Sequence, residues 1–169
     1  MADLAEFSLA PEALARARVV VVDDEPLVTS SVRNYLGLAL DMTPVVFNDP
    51  VAALAHLREN EVDLVISDFL MPELDGIRLL AEMRRMRPEV PRVLLTGYAD
   101  KESAIQAINE VQLFHYLEKP WDNAQLRSVV VNALERIHLL RTLAARMDEL
   151  ATTRDDLAGL RRAVMRAFA

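Results

Sequence analysis

Five polar residues in this chain stand where an apolar run gives way to a loop. They are Asp23-Asp24 after Val19-Val20-Val21-Val22, Asp68 after Val62-Asp63-Leu64-Val65-Ile66-Ser67, Thr96 after Val93-Leu94-Leu95, and Lys119 after Phe114-His115-Tyr116-Leu117-Glu118. If those runs are strands of one parallel sheet, their ends share an edge and residues distant in sequence meet in one crevice. Three carboxylates, a hydroxyl and an ammonium gathered there suit a divalent metal and a phosphoryl group. Clustered carboxylates repel, and without a cation one of them tends to hold a proton. A hard divalent ion relieves the repulsion, and Mg²⁺ suits a site of few carboxylates completed by water. A carboxylate can also act as a nucleophile and form an aspartyl phosphate. Asp68 is the candidate, because it ends the central strand while Asp23-Asp24 occupy the neighbouring metal position. Thr96 and Lys119 can then share the phosphoryl oxygens with the metal, since phosphoryl transfer needs mostly positioning and neutralisation of charge. The competing reading, that acids after strands are helix N-caps, serves Asp24 or Asp68 singly but not the full set.

The elements that must position these residues follow from two alternating hydrophobic periods, which predict βα units around a parallel sheet. Val19 to Val22 reads as a strand buried on both faces. Pro26 suits the first turn of a helix to about Leu40, and Asp49-Pro50 an N-cap and first residue of a helix to about Glu59. Val45 to Phe47, Val62 to Ser67, Pro91 to Thr96 and Leu113 to Leu117 supply four more strands. Helices are predicted over Gly76 to Arg87, from about Asp100 to Asn109, and from Asn123 onward. The fold class is an α/β doubly wound five-stranded sheet of the flavodoxin type, order 2-1-3-4-5, with a long C-terminal helix.

Composition bounds the function. The chain has 169 residues, a net charge of -7 and no cysteine, which excludes a disulfide framework and any thiolate metal site. The acidic balance argues against nucleic-acid binding. No apolar run reaches the length of a membrane span, and the N-terminus lacks a signal-peptide pattern, so a cytoplasmic protein is expected. Residues 1–138 hold 13 Lys and Arg against 22 Asp and Glu, whereas residues 139–169 hold six Arg against four acids and no proline. This shift predicts an N-terminal extension over 1–15, a compact domain over 16–138 and a C-terminal amphipathic helix over 139–169. In that helix Leu140, Leu143, Met147, Leu150, Arg154, Leu157, Arg161, Val164 and Phe168 recur in steps of three and four. Such a heptad seam predicts a homodimer through residues 139–169, read as a parallel helical pair, with a helix that folds back on its own domain as the competing reading.

Over residues 16–138 the chain resembles the CheY-like receiver domain of two-component response regulators. The pieces that carry the resemblance are Val20-Val21-Val22-Asp23-Asp24-Glu25, Ser67-Asp68-Phe69-Leu70-Met71-Pro72-Glu73-Leu74-Asp75-Gly76, Leu95-Thr96-Gly97 and Tyr116-Leu117-Glu118-Lys119-Pro120-Trp121. The resemblance implies that a sensor histidine kinase phosphorylates Asp68, and that Asp24, Asp68 and the Leu70 backbone carbonyl bind Mg²⁺ while Asp23 acts through water. It implies that Lys119 pairs with the phosphoryl group, that the Lys119-Pro120 bond is cis, and that Thr96 and Tyr116 move together as a switch. Leu70 and Tyr98, each two residues past a site residue, are read as shields against water.

The stretch from Ala107 to Asp122 is similar to receivers that precede HD-GYP phosphodiesterase or other cyclic-dinucleotide and kinase outputs. The expected function is therefore a phosphoacceptor switch, not a turnover enzyme, that acts through the helix after Asn123 and the C-terminal coiled coil. Two alternatives stand beside it: a piece of a longer regulator with an output domain after Ala169, and a phosphorylation-independent scaffold. An aspartate-nucleophile phosphatase is disfavoured, because such enzymes commonly carry a second carboxylate where this chain has Leu70.

Overall fold

The computed structural model describes residues 8–97 and 111–167, with positions 100, 102, 105 and 109 between them. The helix expected over 100–109 therefore lies mostly outside the described residues, as do Tyr98 and Phe168. Contacts divide the chain into two compact units at Ile137 and His138. The first contains α1 (Pro11–Ala15), β1 (Val19–Val22), α2 (Pro26–Leu40), β2 (Val45–Phe47), α3 (Pro50–Glu59), β3 (Leu64–Asp68), α4 (Gly76–Met86), β4 (Arg92–Thr96) and β5 (His115–Glu118). Helix α5 is Asn123–Ala167, and its residues up to Ile137 belong to this unit.

The five strands form one parallel sheet in the order β2-β1-β3-β4-β5. Alternation along each strand sorts the core into two layers. Val19, Val21, Leu64, Ile66, Val93 and Leu95 face Val32 and Leu36 of α2 and Leu126, Val130 and Ala133 of α5. Val20, Val22, Val65 and Leu94 face Ala53 and Leu57 of α3 and Leu79, Leu80 and Met83 of α4. Covered on both faces, the central strands are apolar at nearly every position, and the polar exceptions stand out.

Several boundaries differ from those read in the sequence, each for a local reason. Strand β3 begins at Leu64 because Asp63 is engaged at its mouth: the Arg18 guanidinium donates to both Asp63 oxygens, at 2.9 and 3.1 Å. Strand β5 begins at His115 because Gln112 adopts a left-handed backbone (φ 51°) and the Phe114 amide pairs with the Arg92 carbonyl at 2.8 Å. Arg92 itself is buried at the start of β4, where its guanidinium donates to the carbonyls of Pro88, Val90, Val111 and Gln112. Burial away from water, with Arg84 and Arg136 near, lowers its pKa. Four carbonyls thus accept from one cation and tie together the loops that enter β4 and β5.

Before β1, helix α1 is anchored by Leu14, 7% exposed within the layer formed by Leu36, Leu40, Met42 and Ile137. The Leu9 amide donates to the Glu135 carboxylate at 3.3 Å. A buried leucine truncated to alanine loses transfer energy and leaves a cavity. Leu14→Ala should therefore destabilise the protein by about 2–3 kcal/mol in urea unfolding, whereas a segment that merely trails from the domain would show no change.

Candidate functional site

Strand register builds the site. Val22 pairs with Ser67, Asp68 with Leu95 and Thr96 with Glu118, so Asp23, Asp68, Thr96 and Lys119 arrive together at the C-terminal edge of the sheet. The Asp23 amide continues the ladder to the Phe47 carbonyl at 3.1 Å, and the Lys119 amide to the Thr96 carbonyl at 2.8 Å. Each polar group thus stands on a backbone already fixed by the sheet. The Lys119-Pro120 bond is cis.

Asp23 is fully buried and Asp68 is 7% exposed, while Asp24 is partly exposed. One oxygen from each of these three carboxylates lies within 4.8 Å of the others. The Lys119 ammonium bridges two of them, at 2.7 Å from Asp23 Oδ2 and 2.9 Å from Asp68 Oδ1. Burial raises the pKa of Asp68 and the charge of Asp23 adds to the rise, against the ion pair with Lys119, which opposes it. Burial alone would lower the pKa of Lys119, but its bonds to Asp23 and Asp68 outweigh this and hold the ammonium charged. Within the cluster one cation meets three carboxylates. An all-oxygen donor set with surplus negative charge fits a hard divalent cation such as Mg²⁺.

The remaining residues singled out in the sequence are placed as follows. Thr96 is buried, and its hydroxyl donates to the Gly97 carbonyl at 3.2 Å. Tyr116 is partly buried against the α3/α4 layer and lies tilted to His115, with ring centroids 5.9 Å apart. The Leu70 side chain is 57% exposed. Trp121 packs on the opposite layer, partly buried.

Three supporting residues were given no role at the site in the sequence reading. Asn48 donates to the Asp23 carbonyl at 2.8 Å and to the Thr29 hydroxyl at 3.0 Å. It follows β2 at the same sheet edge, so the rule that selected the other five residues applies to it too. Ser67, buried in an otherwise apolar strand, donates its hydroxyl to the Asp68 carbonyl at 3.0 Å. Gly76 opens α4 directly beneath Asp68: a Cβ there would lie 1.8 Å from the Asp68 carbonyl oxygen. The Gly76 amide also donates to the Phe69 carbonyl at 2.9 Å, and Asp75 caps α4 by accepting from the Arg78 amide at 2.8 Å. The loop from Phe69 to Asp75 is thus closed at its neck, with Glu73 in a left-handed conformation (φ 69°) inside it.

A doubly wound sheet of this order, with an acidic cluster and a lysine at its C-terminal edge, has the architecture of a receiver domain. The family model for the response regulator receiver domain matches residues 19–131, and the chain belongs to that family, whose members are phosphoacceptor switches in two-component signalling. The hydrogenase transcriptional regulatory protein HoxA of Cupriavidus necator is 34% identical over 120 residues, covering 71% of this chain and 24% of its own length. The DNA-binding transcriptional regulator NtrC of Salmonella typhimurium is 32% identical over 124 residues, 72% of this chain and 25% of that protein. The chain therefore spans about a quarter of the length of these relatives. Among solved structures, the signal receiver domain of an HD domain-containing protein from Pseudomonas fluorescens superposes with a TM-score of 0.67. It is 36% identical and covers 73% of this chain and 98% of that one.

The raised pKa of Asp68 fixes the sign of a stability effect. A carboxyl whose folded pKa lies above its unfolded value contributes stability only at acid pH, and loses that contribution as pH rises through the folded value. At pH 7 with divalent ions chelated, Asp68→Asn should therefore raise Tm, by about 2–4 °C for each kcal/mol recovered. The gain should shrink below about pH 4, where the wild-type carboxyl is protonated in both states. A variant less stable than wild type at pH 7 would show that the Lys119 ion pair outweighs burial.

Proposed function

We propose that this receiver takes a phosphoryl group from a sensor histidine kinase onto Asp68 in a Mg²⁺-dependent reaction. The observation that carries the reading is Lys119 held between Asp23 and Asp68 beside a third carboxylate. Asp24, Asp68 and the Leu70 carbonyl would hold the metal, with Asp23 in contact through water. When bound, Mg²⁺ supplies positive charge at the phosphoryl oxygens. An Asp68 oxygen attacks phosphorus, the bond from phosphorus to the donor imidazole breaks, and the imidazole leaves with a proton. Lys119 is already within ion-pair distance of the attacking carboxylate, so it can follow the new charge without a large movement. The acyl phosphate carries roughly 1.5–2 negative charges where the carboxylate carried one. Thr96, at the end of β4, and Tyr116, within β5, are the residues we assign to the response.

The protein is a switch rather than a turnover enzyme in this reading, since Leu70 stands where an aspartate-nucleophile phosphatase commonly has its acid–base carboxylate. With acetyl phosphate and Mg²⁺, the intact mass of wild type should rise by one phosphate. That of Asp68→Asn should not, and an adduct on the variant would move the acceptor elsewhere.

We further propose that residues 139–169 join two copies of the chain and that phosphorylation alters this association. Within the second unit Leu143, Met147, Leu150, Leu157, Leu160 and Val164 are all exposed, an apolar stripe larger than a monomer usually leaves bare. Nothing in this segment forms a helix-turn-helix, and DNA binding is not part of the proposal. In light scattering the full chain should be a dimer at tens of micromolar, and Leu150→Glu should weaken the dimer at least tenfold, about 1.4 kcal/mol. A monomeric wild type would end this part of the reading.

A further inference from the structure

Residues 138–167 carry the acids Asp148, Glu149, Asp155 and Asp156, with Arg141 and Arg146 before them, Arg154 between them and Arg161, Arg162 and Arg166 after them. Two arginines, Arg154 and Arg161, interrupt the seam itself, between the exposed Leu150, Leu157 and Val164. Heptad spacing is the same whichever way a second helix runs, so the charges must decide the direction.

In a parallel pair each seam residue faces its own copy. Arg154 would meet Arg154, and Arg161 would meet Arg161 with Arg162 at its side. In an antiparallel pair the two alternating seam positions face each other instead. Centring the pair between Asp155 and Asp156 sets Arg154 against Leu157 of the second copy, Arg161 against Leu150 and Met147 against Val164. No arginine of the seam faces another. Beside the seam, Ala151 lies within about 3 Å of axial rise of Ala158 of the second copy, and side chains this small allow the helices to approach closely.

We infer that residues 138–167 pair antiparallel with the same segment of a second copy, centred between Asp155 and Asp156, each seam arginine set against a leucine of the other chain instead of its own copy. The inference rests on the self-association proposed above and gives it a direction, reversing the parallel arrangement that the spacing alone suggested.

The chain has no cysteine, so single thiols report the direction without background. Full-length Met147→Cys and Val164→Cys chains are oxidised separately and as a mixture. A disulfide requires Cα atoms within about 7 Å. In the antiparallel pair positions 147 and 164 meet across the interface, while the two copies of position 147 stand about 26 Å apart. The expected result is a crosslinked dimer in the mixture and its loss when either variant is oxidised alone. Strong self-linking of each variant alone would overturn the antiparallel direction and leave self-association standing. If light scattering finds wild type and both variants monomeric and no mixture crosslinks, both the direction and the self-association fall together.

Discussion

The ion pairs of Lys119 with Asp23 and Asp68 are the interaction on which the rest of the first unit depends. Two buried carboxylates on neighbouring strands repel, and removing both from water is costly. A single ammonium offsets part of that cost only if it reaches both, and the register of four strands delivers it there. The sheet order, the alternation of its core and the ladder bond from Lys119 to Thr96 all set the distance across which that ammonium must act. Stability is given up at this edge: Asp68 remains harder to ionise than in water even with Lys119 beside it. The site is therefore poised to gain from any added positive charge, which is the property a metal-dependent phosphoacceptor needs.

Support for these groups comes from beneath and beside them. Asn48 holds the backbone of Asp23, and Ser67 and Gly76 hold that of Asp68. At the other end of the sheet, Arg18 with Asp63 and Arg92 with its four carbonyls fix where β1, β3 and β4 begin. Charged side chains thus set the strand starts while apolar alternation sets the strand faces. Register, which neither end could specify alone, follows from the two together.

The five site residues and the strand order were legible in the sequence because both rest on strong local signals. A β-branched run such as Val19 to Val22 admits few readings, and a polar residue at its end has few places to go. What was not legible depends on partners distant in the chain. Val62 and Asp63 continue the apolar run of β3 on paper, but Arg18, 45 positions earlier, takes the Asp63 side chain. Leu14 lies in a short proline-led helix that propensity hardly supports, and only its burial against Leu36 and Ile137 reveals it as core. The Thr96 hydroxyl bonds the adjacent Gly97 carbonyl, a rotamer that no spacing pattern encodes. In the second unit the apolar residues follow a heptad period, and a hydrophobic period does not count the charges from which a direction of pairing is argued.

The contact between Gly76 and the Asp68 carbonyl has a genetic side. Alanine, the smallest replacement, would already set a carbon 1.8 Å from that oxygen, well inside the distance at which atoms repel. Every single-base change in a glycine codon that alters the residue brings in a Cβ or ends the chain. Position 76 therefore has no conservative neighbour in mutational space. Compensation would have to come from the backbone, and a shift of β3 would carry the Asp68 carboxylate with it.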